Sequence, residues 1–442
     1  MTVTTLQLPK NAFVGQEIEL VATYQPDAPA TVHFRIELRK PTKKLILEKD
    51  IKASGSPARM KWTVAAPPSG VVRSTASLKS TGKSLNSADL VVHAPPRMSI
   101  WASHALAKAA KPGIDKLINE TLKPDGKSAL SDISALMTVR PQAADPLQVE
   151  WDPEVPRAAG GDKAKIKARY KEVIDLAHAK EIKVLAGYEA VEDPGRSSNP
   201  NAGRFMKFVR AAVEKKGNKE KLVKNTYQED VCVVKQSVVD THVEAISNFL
   251  YKDAASKLDW DGISFDIEIG ALFPRYRPVL KALFHGLAKK HPQKLVTFAT
   301  LGFTARLKGR GGKNVGHEFQ KTQTFDLCEG RSNIIARTML YEEKVDESYV
   351  KAVCDYAFEP KPGGVGLQRH QVQQGFQGDL QRNQASRPGK ITDNKEIIPM
   401  IQNVLRPQVC GLIYFGLFAS QTKDTARMKF FPKLAETYRR KP

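Results

Sequence analysis

Apolar side chains recur at every second position through residues 1–95. In EIELVATY they are Ile18, Leu20, Ala22 and Tyr24, and in TVHFRIEL they are Val32, Phe34, Ile36 and Leu38. MKWTVAAP and ADLVVHAPP follow, and clusters of Pro, Gly and Ser separate the runs. Alternation places successive side chains on opposite faces of a strand, so one face packs while the other stays wet. Short alternating strands between turn residues predict a small all-β sandwich of immunoglobulin-like type over residues 1–95. Nothing catalytic stands in this segment, which reads as a binding, docking or spacer module. Pro95 and Pro96 in HAPPR disfavour helix and mark a linker.

Beyond Pro96 the period changes. Apolar runs suited to buried strands stand at 98–103, 133–139, 182–188, 261–268, 295–302, 333–341, 363–368 and 410–418. Segments with helical spacing lie between them. In DKAKIKARYKEVIDLAHAK the stripe is Ile166, Tyr170, Val173, Ile174 and Ala177. In SVVDTHVEAISNFLYKDAASKL it is Val238, His242, Ala245, Ile246 and Phe249, and YRPVLKALFHGLAKKH and DNKEIIPMIQNVLR add two more helices. Eight strands alternating with helices predict an α/β architecture, a (β/α)8 TIM barrel over residues 97–442, rather than a doubly wound sheet.

Composition and charge narrow the picture further. The 442 residues include no run of about 18 apolar side chains, so no membrane span is expected. The N-terminus lacks a basic head followed by an apolar core, which implies synthesis in the cytoplasm and leaves open delivery by a signal-independent route. Cys232, Cys328, Cys354 and Cys410 are scattered without a CxxC pair and read as reduced, buried thiols. The net charge of +22 points to an anionic partner: nucleic acid, a cell-wall polymer or an anionic membrane surface. Basic residues are densest at 210–225 and 306–314, and neither stretch interleaves aromatics as a base-stacking surface would, so nucleic acid is the least favoured. The nine histidines form no HxxxH or His/Cys cluster, and neither a metal nor a cofactor is expected.

The chemistry concentrates in LDWDGISFDIEIG, residues 258–270. On a strand Ser264, Asp266 and Glu268 share one face, while Ile263, Phe265 and Ile267 share the other. In a barrel the first set looks inward, and Glu268 stands at the C-terminal rim where barrel enzymes keep their chemistry. Two carboxyls about 7 Å apart by strand rise cannot both ionise freely in a partly dry site. One is then held protonated, as a general acid requires.

With these residues in view, the chain resembles glycoside hydrolase family 18, the chitinases and endo-β-N-acetylglucosaminidases. The family's fourth-strand signature DGxDxDxE stands here as Asp261, Gly262, Ser264, Asp266 and Glu268, with Ser264 in place of the first acid of its DxDxE core. MLYE on the sixth strand is similar to the family's MxYD, giving Met339, Tyr341 and Glu342. KVLAGYE on the third strand departs from the family's serine and glycine pattern, and Phe415 stands where many members carry a tryptophan. The resemblance covers roughly residues 97–440. It implies a retaining, substrate-assisted reaction, an exception to the two-carboxylate scheme. Glu268 would protonate the glycosidic oxygen, Asp266 would orient the substrate acetamide, and Tyr341 would donate its hydroxyl to that group. Ser264, Met339, Glu342 and Phe415 are the further substrate contacts.

Other residues carry two readings each. Glu189 lines the cleft or forms a rim salt bridge, and Trp101 stacks on a sugar or fills the core. Asp259 and Asp261 serve as loop anchors, and His370, after the expected seventh strand, is the histidine best placed for the rim. The expected function is hydrolysis of β-linked N-acetylglucosamine polysaccharide, with peptidoglycan before chitin and chitin before N-linked glycans. The alternatives are a catalytically silent glycan-binding protein and a wall-degrading module of a phage or secretion assembly joined through residues 1–95.

Overall fold

The computed structural model describes residues 2–40, 42–66, 70–81, 86–94, 97–102, 130–152, 163–191, 203–225, 228–268, 273–300, 324–339, 347–360, 364–377, 398–408 and 410–417. One compact unit comprises Met1–Pro96 together with Met400–Cys410, and the other is built on Arg97–Pro399.

The first unit is a two-sheet sandwich. Strands β1 (Thr2–Gln7), β3 (Glu17–Gln25) and β6 (Ala58–Thr63) form one antiparallel sheet in the order β1-β3-β6. The other sheet runs β2 (Asn11–Phe13), β8 (Asn86–His93), β7 (Val71–Leu78), β4 (Ala30–Lys40) and β5 (Lys44–Ala53). The alternating side chains of the sequence meet in one core: Leu20 and Tyr24 from β3, Phe34 and Ile36 from β4, Met60 and Trp62 from β6. Pattern reading misses β5 and β7 for physical reasons. KLILEKDIKA is an edge strand with no fully buried position, and β7 buries the small polar Ser74 and the small Ala76 where a large apolar side chain would signal a strand.

The second unit contains the barrel. Its parallel strands are β9 (Met98–Ala102), β10 (Asp132–Pro141), β12 (Lys183–Val191), β17 (Gly262–Glu268), β18 (Leu295–Thr300), β19 (Ile334–Met339), β20 (Val372–Gln377) and β21 (Gly411–Leu417). Each pairs with the next, and β21 returns to β9, which closes the sheet and removes its edges. A short strand, β11 (Val149–Trp151), lies antiparallel on β10. Helices α1 (Lys163–His178), α2 (Arg204–Ala211), α3 (Gln236–Ser247), α4 (Phe273–Lys290) and α5 (Glu347–Phe358) connect the strands. The apolar stripe of α1, Ile166, Tyr170, Val173, Ile174 and Ala177, is buried throughout. All four cysteines are free and buried. No helix among the described residues is long and apolar enough to cross a membrane.

The seventh strand corrects the sequence reading. It is Val372–Gln377, not 363–368. VQQGFQ lacks the apolar run of a buried strand because Gln373 and Gln374, on opposite faces and both unexposed, are satisfied by hydrogen bonds instead. Residues 364–368 of GGVGLQ are irregular chain after α5: Gly366 has φ +74, and a Cβ on Gly364 would meet the Tyr356 carbonyl at 2.4 Å. His370 consequently precedes the strand, at the end opposite the rim, where Nε2 bonds the Ser332 carbonyl at 2.9 Å.

Strand β17 is held from both sides. Its opening Gly262 is required by close approach, since a Cβ there would lie 2.0 Å from the Leu295 carbonyl oxygen. Asp261 accepts from the Val184 N–H at 2.9 Å and lies 2.7 Å from His178 Nε2, tying the strand's entrance to β12 and α1. Ile263, Phe265 and Ile267 face the helices, and the Phe265 ring lies 4.8 Å from both Tyr188 and Phe284.

Candidate active site

Two layers of polar side chains occupy the barrel's inward face. In the lower one Arg337, without exposure, donates to Asp132 Oδ1 at 2.5 Å, to Gln373 Oε1 at 2.8 Å and to Ser134. Asp132 also accepts from Ser99 Oγ at 2.7 Å, and Arg97 lies 3.5 Å away. Ser264 belongs to this layer: it is fully buried, and its Oγ accepts from Arg337 Nη1 at 3.4 Å. The expectation that Ser264 contacts substrate is therefore corrected, because the guanidinium that it serves seals it inside the barrel. Trp101 is likewise 2% exposed and packs where Gly375 leaves room, a Cβ there coming within 3.2 Å of the indole. Of its two readings the core one holds, since a ring so enclosed offers no face for a sugar.

The upper layer is acidic. Strands β12 and β17 run in register with Gly187 opposite Ser264, Glu189 opposite Asp266 and Val191 opposite Glu268. Alternation gives Glu189 and Asp266 the same inward sense, one step toward the rim from Ser264. Asp152, 2% exposed at the end of β11, completes the group, its amide fixed to the Thr138 carbonyl at 2.9 Å. Burial first, then a hydrogen bond to Asp152 and the charges of Asp152 and Asp266, push the Glu189 carboxyl up to about 8. Arg140 acts the other way. Its guanidinium is shared: it donates to Glu150 at 2.9 and 3.0 Å, and Glu150 also accepts from Arg204 at 2.8 Å. Glu189 is thus the proton-bearing partner of an acid pair at neutral pH, half-buried and facing inward as a residue that lines the cleft would be.

Behind the acids the packing is rigid. Tyr188 donates to Nε2 of the buried His242 at 2.7 Å, and His242 Nδ1–H donates to the Leu147 carbonyl at 2.8 Å. Burial lowers this imidazole to about 4, so it is neutral and its tautomer is set by those two bonds. Trp151 stacks on Tyr170 at 5.9 Å and meets Phe249 edge-on at 5.0 Å, which seats β11 and hence Asp152.

The remaining expected residues are placed by backbone or not at all. Glu268 ends β17 opposite Val191, Met339 ends β19 opposite Gly375, and Phe415 on β21 pairs with Trp101 and Gln377. Tyr341 and Glu342 lie outside the described residues, as does the basic stretch at 306–314. Sequence reasoning missed Asp152, Arg140, Asp132 and Arg337. Arg337 had a signal, a lone cation inside the apolar run NIIARTM, whereas Asp152 had none, because its place depends on the β11 return. No group of three or more His, Cys, Asp or Glu among the described residues is arranged to hold a metal ion.

Comparison with known proteins gives little beyond this. No family model matches the chain, and no curated protein matches it. A cycloisomaltooligosaccharide glucanotransferase of Paenibacillus sp., complexed with cycloisomaltoheptaose, is 10% identical over 87% of this chain and 54% of its own, with a TM-score of 0.37. A pullulanase of Anoxybacillus sp. LM18-11, complexed with maltotriose, is 8% identical over 96% and 71%, with a TM-score of 0.40. A β-glucuronidase of Bacteroides uniformis is 10% identical over 93% and 45%, with a TM-score of 0.33. The chain thus spans about half of the glucanotransferase and of the glucuronidase. All three are named as enzymes acting on glycosidic bonds, and none as a chitinase or N-acetylglucosaminidase. At such TM-scores they carry no argument, and the barrel rests on its own closed strand order.

Proposed function

We propose that this chain is a retaining, substrate-assisted glycosidase acting on β-linked N-acetylglucosamine polymers, peptidoglycan before chitin. The observation that supports it best is the pairing of Glu189 with Asp266 on adjacent strands, one step below Glu268 at the end of β17. Clustered carboxyls there stabilise developing positive charge, which an oxocarbenium-like transition state carries.

In this reading Glu268 gives its proton to the glycosidic oxygen as the C1–O bond breaks. The substrate's own acetamide carbonyl oxygen attacks C1 and forms an oxazolinium, while Asp266 holds the acetamide N–H. Water then adds at C1, returning its proton to Glu268 and regenerating the acetamide. Tyr341 and Glu342 are the further contacts to the sugar. The net charge of +22 favours an anionic wall polymer as the partner, and residues 1–95 are the module that would join a larger assembly.

Ser264 in place of the motif's first acid, with Phe415 in place of tryptophan, favours a second reading, a glycan-binding protein without turnover. Release of reducing ends from purified peptidoglycan and from chitin oligomers separates the two. Wild type cleaves one polymer, and Glu268→Gln lowers the rate about 10²–10⁴-fold with its fold retained. Sedimentation with either polymer and no cleavage would establish the binding protein instead.

A further inference from the structure

Arg140, Glu150 and Arg204 form a cluster near the rim that the proposed reaction does not use. Arg140 is the next-to-last residue of β10, and Glu150 on β11 stands directly across from it. Val139 is paired with Tyr188 on β12, so Arg140 is level with Glu189, which is itself opposite Asp266. Two strand spacings, about 10 Å, therefore separate the backbones of Arg140 and Asp266. Arg204 is the first residue of α2, and the packing of that helix fixes its place. Phe205, Met206, Phe208 and Val209 are buried, with the Phe205 ring 5.9 Å from Tyr188 and the Phe208 ring stacked on His242 at 4.1 Å. Beyond α2 two short hairpins, β13 (Lys215–Lys216) with β14 (Lys219–Glu220) and β15 (Leu222–Lys224) with β16 (Asp230–Cys232), lead to α3. The Lys235 N–H then closes back on the Ala212 carbonyl at 2.7 Å, which secures the far end of α2.

The cluster sets two cations on one oxygen. Glu150 Oε1 accepts from Arg140 Nε at 3.0 Å and Nη2 at 2.9 Å, and from Arg204 Nη1 at 2.8 Å. One guanidinium is enough to pin β11 to β10, and a second adds repulsion between like charges. Arg204 has one further bond, from Nη1 to the Pro141 carbonyl at 3.4 Å. Its Nε and Nη2, which share one edge of the guanidinium, donate to nothing among the described residues. Arg140 also acts on Glu189, so the donors left for a ligand are those of Arg204. The helix adds to this positive pole. Its N-cap, Gly203, has no side chain to bond the first N–H groups, and no acidic residue stands in its first turn.

We propose that Arg204, supported by Arg140 and the N-terminus of α2, binds a carboxylate on the sugar next to the cut and so selects a carboxylated N-acetylglucosamine polymer over a neutral one. In peptidoglycan every second sugar carries such a group as a lactyl ether, and chitin has none. The Nε and Nη2 edge is the fork that meets a carboxylate with two parallel bonds, and its use leaves the Nη1 bond to Glu150 in place. The proposal rests on the glycosidase reading for the identity of the substrate, and on the cluster alone for the binding group.

Equilibrium binding of the full chain to soluble peptidoglycan strands freed of their peptides, native or with the lactyl carboxyls amidated, tests this apart from turnover. Wild type prefers the native strands about 10–10²-fold, the worth of a charge-assisted contact, and the preference falls with added salt. Arg204→Gln brings the two affinities together, and Arg204→Lys retains part of the difference. Glu150→Gln removes the neighbouring anion while keeping an acceptor for Arg140, and it raises the preference, which loss of a merely structural bridge would not do. Equal affinity of wild type for both strands overturns the site even where the strands are cleaved. So does a preference that survives Arg204→Gln with the far-ultraviolet spectrum unchanged. A preference lost in Arg204→Gln upholds the site even where no strand is cleaved, a result that would sink the glycosidase reading alone. Absence of binding to either strand overturns the site, and cleavage of chitin oligomers then decides the glycosidase reading separately.

Discussion

The acid pair predicts a stability profile that can be worked out in sign and size. In the unfolded chain Glu189 titrates near its ordinary 4.5, and in the folded protein near 8. Both states are protonated below 4.5, so the stability is fully present there. Between these values the unfolded state has released its proton and the folded state has not, so stability falls as pH rises, by about 1.4 kcal/mol per pH unit. Above about 8 it is flat again. The buried His242 has the opposite sign: its folded value of about 4 lies below the ordinary 6.5, so its contribution is complete above 6.5 and lost as pH falls through 4. His285, His291 and His370 are lowered too, by burial first, and act in that same acidic window. Cys232, raised by burial to about 11 from 9.0, acts only in alkali.

Below pH 6.5 the slopes of Glu189 and His242 oppose one another. Between pH 6.5 and 8 Glu189 acts without that opposition, and the span corresponds to about 2 kcal/mol. Urea unfolding of the barrel, followed every half unit from pH 5.5 to 9, is the assay. Wild type loses about 2 kcal/mol from pH 6.5 to 8, and Glu189→Gln, which keeps a donor toward Asp152 and has nothing to ionise, stays flat across that range. Asp152→Asn removes the charge and leaves an amide oxygen that can still accept from Glu189. Burial, the largest cause, remains, so the falling limb should move down by roughly one to two pH units. A slope in Glu189→Gln equal to that of wild type would refute the assignment of the proton, whether or not the protein cleaves any sugar.

The lower layer yields two further predictions. Arg337→Met leaves the Asp132 carboxylate buried with Ser99 and the 3.5 Å Arg97 contact, at a cost of about 3–5 kcal/mol. Adding Asp132→Asn should recover much of that loss in the same urea titration, and no recovery would mean that the pair is not what the layer depends on. Ser264→Asp, which would complete the DxDxE pattern that the strand resembles, places a second carboxylate on a guanidinium already bound at 2.5 Å by Asp132. It should destabilise the barrel by roughly 1–3 kcal/mol at pH 7, with the loss shrinking toward pH 4 as the new group takes up a proton. A stabilised and more active Ser264→Asp would show that the layer tolerates the missing charge.

Much of the architecture was legible because burial follows period. The stripe of α1, the alternation of β3 and β4 and the β17 triplet each fill the face that spacing assigns. Legibility failed where polar groups are buried in pairs. Gln373 and Gln374 hide a barrel strand behind a polar sequence, and Ser74 does so in the sandwich. The site divides along the same line. Asp266 and Glu189 could be read from their strands, but the role of each depends on a partner contributed by a return strand, Asp152, that has no periodic signature. The identity of the group that keeps a proton is a property of three chain segments meeting, and no one of them contains it.

The two layers also account for the departure at Ser264. A buried charge persists where it is paired and hydrogen-bonded. Arg337 already has Asp132, with Ser134, Ser264 and Gln373 filling its remaining donors, and Arg97 lies 3.5 Å from the same carboxylate, so the lower layer has no unpaired anion and has a hydroxyl where the motif that the strand resembles has an acid. The upper layer is different: Asp152 and Asp266 both raise the Glu189 carboxyl, and Arg140, which opposes them, is shared with Glu150. Excess negative charge in a partly dry site is relieved by retaining a proton, and Glu189 is where burial and its neighbours place it. A floor without excess negative charge beneath an acid-rich rim suits a cleft in which positive charge develops and a proton is passed.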